Sequence, residues 1–338
     1  MAGRYHRQTL LPQIGDAGQA KLAEATVVVI GCGALGTVIA ESLARAGVGR
    51  LVLCDRDLVE PSNLQRQTLF TDADAAESRP KAVAAAERLQ QVNGDISIEP
   101  RPIDVDATNI VGLVDEATLL LDGTDNAATR YLLNDACVKA DKRWIYGAAV
   151  ATEGRVMPVL PRRGPCLRCV FRDPPPPGVL ATCDTAGVLA SAAGTVANLQ
   201  AANAIRVLVS DDAPLQLTAI DVWTGRFSVV DVAKARQADC PCCGLRDFEF
   251  LQQHRGETAG LCGQNAVQVR APTTTAWDLK TIADRLRPVG EVSVTPFMLR
   301  FAASDRLRVT AFADARVIVQ GTTSEAEARS IYARYFGN

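Results

Sequence analysis

A β-branched run, Thr26 to Ile30, ends in Gly31-Cys32-Gly33-Ala34-Leu35-Gly36 and passes straight into a helical pattern that lasts to about Ala46. The next apolar run, Arg50 to Cys54, ends at Asp55. Strand, glycine turn, helix and strand make a βαβ unit, which commits this part of the chain to a parallel sheet. G-x-G-x-x-G at that place sets free backbone N–H groups and a positive helix end beside phosphate. An acid at the end of the second strand is placed to meet a ribose hydroxyl. The glycines alone would also suit a tight turn that binds nothing. With strand, helix and Asp55 in register, Gly31, Gly33, Gly36 and Asp55 are expected to form a nucleotide site.

The alternation continues. Helix is expected over Pro80 to Val92 and Ala127 to Ala140, and strand over Ile96 to Ile98, Leu119 to Asp122 and Trp144 to Val150. The predicted class is α/β: a doubly wound, Rossmann-like, mostly parallel sheet. From about Gly154 the texture changes, with antiparallel strands expected in Arg155 to Leu160 and Leu217 to Val232. Ala186 to Val209 is apolar but carries Asn198, Gln200, Asn203 and Arg206, so it reads as a buried core helix and not a membrane span. Residues 1–250 are read as the nucleotide-binding half (1–150) followed by a second half (151–250). After a polar connection, Leu245 to Gly260, residues 261–338 read as a small α+β appendage.

The second constraint is a pair of C-x-x-C motifs far apart in the chain, Cys166/Cys169 and Cys240/Cys243. Together they offer four thiolates, the ligand set of a closed structural zinc site. Buried or redox-active thiols are the plainer alternative. Of the ten cysteines, Cys32, Cys54, Cys137 and Cys242 read as packing residues and Cys262 is undecided. Reduced thiols and a polar N-terminus without a signal segment imply a cytoplasmic protein. A net charge of -2 gives no bulk attraction to nucleic acid or membrane.

The glycine turn does not choose between NAD and ATP. The residues after Asp55 do: Asp57, Asn63, Arg66, Gln67 and Lys81. Polyphosphate chemistry needs cations and a divalent ion where charge builds on the phosphates. Asp125, following the strand that ends at Asp122, lies at the sheet's carboxyl edge, where a magnesium ligand belongs. Each has an ordinary alternative: Arg66 a surface charge, Lys81 a solvated helix start, Thr124 or Asp125 a helix cap.

Taken in order, Arg4-Tyr5-His6-Arg7-Gln8, the glycine run, Asp55-x-Asp57, Asn63-Leu64-Gln65-Arg66-Gln67, Pro80-Lys81, Thr124-Asp125-Asn126, Thr182-Cys183 and both cysteine pairs resemble one family. It is that of the MoeB/ThiF/HesA adenylyltransferases, relatives of the ubiquitin-activating enzymes. The resemblance covers residues 4 to about 247. It implies ATP and Mg2+ over the glycine turn, a structural Zn2+, and attack on the α-phosphate by the C-terminal glycine carboxylate of a small ubiquitin-like sulfur carrier (MoaD- or ThiS-like, ending Gly-Gly). Asp55 would hold the ribose, Arg66 and Lys81 the phosphates, and Asp125 the magnesium, with Asn63 helping to position the phosphates. Arg7 resembles the arginine that enters the partner's site in the family's homodimers. Cys183 resembles the cysteine that in some members takes the activated carboxylate, with a sulfurtransferase or cysteine desulfurase as a further partner.

Two rival classes remain open at this level. A dehydrogenase would use the same glycine turn with NAD, but leaves Arg66, Lys81 and the cysteine pairs unexplained. A non-catalytic scaffold that binds a ubiquitin-like protein would ordinarily lack one of Arg66, Lys81 or Asp125.

Overall fold

β1 (Thr26–Ile30), β2 (Arg50–Cys54), β3 (Ser97–Arg101), β4 (Leu119–Asp122) and β5 (Trp144–Val150) lie side by side, all parallel, in the order β3-β2-β1-β4-β5. They belong to a computed structural model that describes residues 3–174, 183–252, 258–261, 265–270, 276–302, 304 and 306–337. Val27, Val28 and Val29 are all fully buried, because both sheet faces are covered; that is why β1 reads as a continuous apolar run. Val27, Val29, Leu51 and Leu53 pack under the helices Gly36–Ala46, Lys81–Val92 and Ala190–Val209. Their alternates Val28, Ile30, Val52 and Cys54 face Ile110–Glu116 and Ala127–Lys139. Strand order reverses between β1 and β4, so a crevice is expected at their carboxyl ends.

β6 (Glu153–Val159), β7 (Gln216–Asp221) and β8 (Arg226–Asp231) extend the sheet antiparallel to eight strands. The helix Ala190–Val209 lies close on β5 and β6 because Gly147 and Gly154 face it. A Cβ on either glycine would meet Gln200 at 2.2 Å or Val196 at 2.1 Å. This helix begins four residues later than expected from Ala186, because Gly187 takes a left-handed φ of +72° and Val188 bridges to Ala151. β8 is the edge, and all six of its residues are exposed.

The chain forms two compact units, Met1–Gln253 and His254–Asn338. The second holds a six-stranded antiparallel sheet: β9 (Thr258–Leu261), β10 (Ala266–Arg270), β11 (Val292–Val294), β12 (Met298–Ala302), β13 (Arg308–Phe312) and β14 (Arg316–Gln320). Their order is β11-β12-β13-β14-β10-β9. Val267, Val269, Leu299, Phe301, Val309 and Val317 pack against the helices Leu279–Leu286 and Glu325–Tyr335. The sequence places strands at Ala266 to Val269, Glu291 to Val294, Leu307 to Phe312 and Val317 to Gln320, and two of the observed strands differ from that reading. β9 lies where a polar connection was expected, and β12 was not anticipated. Both owe their form to pairing with β10 and with β11 and β13, which local propensity does not encode. Among the described residues no helix is long and apolar enough to cross a membrane.

Candidate functional site

The glycine turn sits at the crevice. Gly31 has a φ of +90°, and a Cβ there would lie 2.8 Å from Gly123 backbone; one on Gly36 would lie 1.8 Å from Gly31 O. The fold itself demands those two glycines. A Cβ on Gly33 would meet nothing closer than 3.9 Å, so its bareness leaves space for something outside the chain. The helix that follows has no side-chain cap, and the N–H groups of Ala34 and Leu35 have no partner among the described residues. Unused donors, open space and a helix N-terminus together fit a phosphate.

Asp55 is buried, and both of its oxygens are engaged. Oδ2 accepts from Cys32 N–H at 2.6 Å and Oδ1 from Asp57 N–H at 2.7 Å. Each oxygen keeps a second lone pair for a ribose hydroxyl. Burial pushes its carboxyl up and Lys81 pulls it back, with the balance above the usual range. Lys81 is only 5% exposed, and its Nζ lies 3.1 Å from Asp57 Oδ2. Burial lowers the Lys81 ammonium, but Asp57, Asp55 and Asp125 outweigh that and hold it above the ordinary lysine range. The site therefore keeps a buried cation charged, and Lys81 is not a solvated helix start.

The segment between Asp57 and Lys81 is pinned at both ends. Lys81 N–H donates to Asp57 O and Val59 N–H to Arg79 O, bridging Leu58 to Pro80. The pinned loop carries Asn63, Arg66 and Gln67. Asn63 is buried, its Oδ1 accepting from Glu60 N–H at 3.1 Å. Arg66 is half-buried and donates from Nη1 to Ser62 O at 2.9 Å. Gln67 is buried beside Gly33, its Oε1 without a hydrogen-bond partner among the described residues.

At the end of β4, Asp122 Oδ1 accepts from the N–H and hydroxyl of Thr124. Arg130 donates to Asp122 Oδ2 at 2.9 Å and to Thr124 O. The helix Ala127–Lys139 is capped by Asn126, whose side chain accepts from Thr129 N–H. Neither Thr124 nor Asp125 is the cap. Asp125 is left exposed, close enough to raise both Lys81 and Arg56. Sequence reasoning did not single out Asp122 and Arg130 as the brace of this turn. The only local signal was an acid ending the strand with an arginine eight residues on, in the first turn of the next helix.

Cys166, Cys169, Cys240 and Cys243 come together, all four sulfurs within 4.8 Å of one another. The separations are 3.5 Å for Cys166–Cys240, 3.3 Å for Cys169–Cys243 and 4.0 Å for Cys166–Cys169. Four thiolates about 2.3 Å from a central tetrahedral ion stand ~3.8 Å apart, so the cluster fits one such ion with no open position. Cys242 is outside the tetrad but next to it, its sulfur accepting from Asn134 and facing Cys166 and Asp135. Cys32, Cys54 and Cys137 are buried free thiols; burial pushes Cys54 up to about 12.

Arg7 is not brought to this site. Gln8 donates to Ala46 O, Asn93 donates to the Tyr5 hydroxyl, and the Tyr5 ring fills the place a Gly47 Cβ would take. The segment is thus clamped at the far end of the helix Gly36–Ala46, whose 11 residues span about 16 Å. Arg7 itself is exposed. Cys183 begins the short helix Cys183–Ala186. Its side chain, Thr182 and most of the proline stretch lie outside the described residues, as does Cys262.

A doubly wound sheet with a phosphate-ready turn and a charged Asp–Lys–Asp cluster at its switch point defines a Rossmann-type nucleotide-binding protein. Residues 5–242 match the ThiF family. The chain is 42% identical over 339 aligned residues to the sulfur carrier protein ThiS adenylyltransferase of Bacillus subtilis, with 100% of each covered. It is 41% identical to the sulfur carrier protein adenylyltransferase of Thermus thermophilus, over 77% of this chain and 96% of that one. The solved structure of E. coli MccB with ATP superposes with a TM-score of 0.62 at 24% identity, over 72% of this chain and 74% of that one, a likeness of fold. The chain belongs to the ThiF family of adenylyltransferases.

Proposed function

We propose that this chain uses ATP to adenylate the C-terminal glycine of a ubiquitin-like sulfur carrier of the ThiS type. The carrier carboxylate attacks the α-phosphorus, the bond to the leaving pyrophosphate breaks, and the acyl-adenylate is ready for thiocarboxylation. The observation that carries the reading is the buried Lys81, its Nζ 3.1 Å from Asp57 Oδ2, at the strand ends that carry the open glycine turn. A dehydrogenase has no use for a buried ammonium at that point. The ThiS-type carrier is favoured because the match to the Bacillus subtilis enzyme runs the full length, second unit included.

In this reading Asp55 holds the ribose, the turn at Gly31, Gly33 and Gly36 cradles phosphate, and Arg66, Lys81 and Asn63 position the polyphosphate. Asp125 and Asp57 would hold magnesium, which when bound neutralises charge on the phosphates. The four-cysteine cluster would hold a structural zinc. The edge strand β8 and the adjoining turn expose Trp223, Phe227, Val229 and Val230. An apolar open edge of this kind suits the body of a small β-sheet carrier. A separate sulfurtransferase or cysteine desulfurase then supplies sulfur in the cytoplasm.

Carrier-dependent exchange of labelled pyrophosphate into ATP tests the whole reading. Purified protein that shows no exchange with any diglycine-ended ThiS-type carrier would refute it. In the same assay Cys183→Ser is expected to retain exchange while losing thiocarboxylated product; loss of both would contradict a role confined to sulfur transfer. The clamped position of Arg7, remote from its own glycine turn, favours service to a second subunit. Mixing Arg7→Ala with Lys81→Ala chains should then recover up to about a quarter of the activity, a statistical share of mixed sites limited by one wild-type site per heterodimer. Heterodimers as inactive as either parent would count against an arginine supplied by the partner.

A further inference from the structure

The side chain that holds the two cysteine turns together is not a cysteine. Asn134 is fully buried on the helix Ala127–Lys139. Its Oδ1 accepts from Leu167 N–H at 2.9 Å, directly after Cys166. Its Nδ2 donates to Cys242 Sγ at 3.1 Å, directly before Cys243. One amide thus grips both C-x-x-C turns, which come from segments 74 positions apart. Leu167 opens the short helix Leu167–Val170, whose cap residue Cys166 supplies no side-chain bond. Asn134 therefore satisfies a donor that the turn leaves orphaned. Its helix neighbours act in the same sense. Tyr131 donates to Phe171 O at 3.0 Å, beyond the first pair. Asp135 accepts from Phe250 N–H at 3.1 Å, beyond the second.

A buried amide among Leu133, Ala136 and Cys137 is costly unless its polar atoms are bonded. An apolar residue would serve plain packing better. We infer that Asn134 is a positioning residue that registers the two cysteine turns independently of the metal, so that four thiolates are presented in advance to one tetrahedral ion. The inference rests on the metal reading of the cysteine cluster. It assigns Cys242, the cysteine left out of the tetrad, a purpose as the acceptor for this clamp. Outer-sphere partners of metal ligands typically change affinity 10- to 100-fold when removed.

The test is chelator competition on the full-length protein with zinc, together with the visible spectrum of the cobalt(II) form. Asn134→Ala should bind zinc 10- to 100-fold more weakly and give a weaker, broadened tetrahedral thiolate spectrum. Cys242→Ala, which leaves the Asn134 amide in place and removes its sulfur acceptor together with that thiol's interactions with Cys166 and Asp135, should show a smaller loss in the same direction, and it carries the test if Asn134→Ala does not fold. The double variant should be no worse than Asn134→Ala alone. Unchanged affinity and spectrum in the variants that fold overturn the clamp while the metal site stands. Failure of the wild-type chain to take up one ion overturns the metal reading and the clamp together.

Discussion

Lys81→Ala should lower carrier-dependent ATP–pyrophosphate exchange by ~10²- to 10³-fold, the usual cost of removing one preorganised donor from developing charge. Lys81 is almost wholly shielded from water and has Asp57, Asp55 and Asp125 around it. In such a place a cation interacts more strongly with phosphate than it would in solvent. The variant also strips two carboxylates of their counter-charge. Breaking a fully buried pair costs about 3–5 kcal/mol, and the loss here should fall below that because the Asp57 side chain is 27% exposed. A folded protein with exchange reduced by two orders or more is the expected result, read by circular dichroism and the labelled-pyrophosphate assay. Near-wild-type exchange would remove Lys81 from the phosphate site. The pH dependence follows from the raised ammonium. A group whose folded value lies above its unfolded one stabilises fully below the unfolded value and loses that contribution as pH rises through the folded one. Lys81 therefore contributes no fall in stability or exchange below the ordinary lysine range.

The second large effect concerns the four cysteines. Chelation under reducing conditions, or Cys166→Ser, should lower the melting temperature by about 10 °C or more, since each 1 kcal/mol shifts a unit of this size by about 2–4 °C. Structural zinc contributes on the order of 10–16 kcal/mol to small peptides with little core of their own. A zinc held by these four cysteines should contribute less, because the parallel sheet and its helices have a core that does not involve them. The segments around Cys166 and Cys240 pack against the other face of that sheet, with Trp144, Tyr146 and Met157. Loss of the ion should therefore loosen that face first, increasing amide exchange in residues 160–174 and 232–252 before the glycine turn. A melting temperature indifferent to chelator, with zinc absent from the purified protein, would show the cluster to be ordinary packed thiols.

The glycine turn at the strand ends was legible because its requirements are local. Gly31 and Gly36 are needed within the turn itself, and Asp55 follows at the length of one helix and one strand. The cysteine pairs were legible because a two-residue spacing is what one ion needs from each turn. The class of the sheet followed from runs whose period is set by the backbone. The brace of Asp122 and Arg130 was not legible, nor was the double grip of Asn134. A polar residue on an apolar helix says only that it must find partners, and those partners lie on other segments. β9 and β12 were missed for the same reason, as pairing and not propensity holds them.

The amino-acid order by itself determined the α/β class, the glycine turn and the grouping of cysteines in pairs, since each depends on residues a few bonds or one βαβ unit apart. Only the tertiary structure decided that the two cysteine pairs meet, that Lys81 is buried between acids, that Asn126 and not Asp125 caps its helix, and that Arg7 is clamped away from its own site. Those outcomes rest on burial and on contacts between distant segments, where the energy of a charge or an amide is set by neighbours that the local chain does not name.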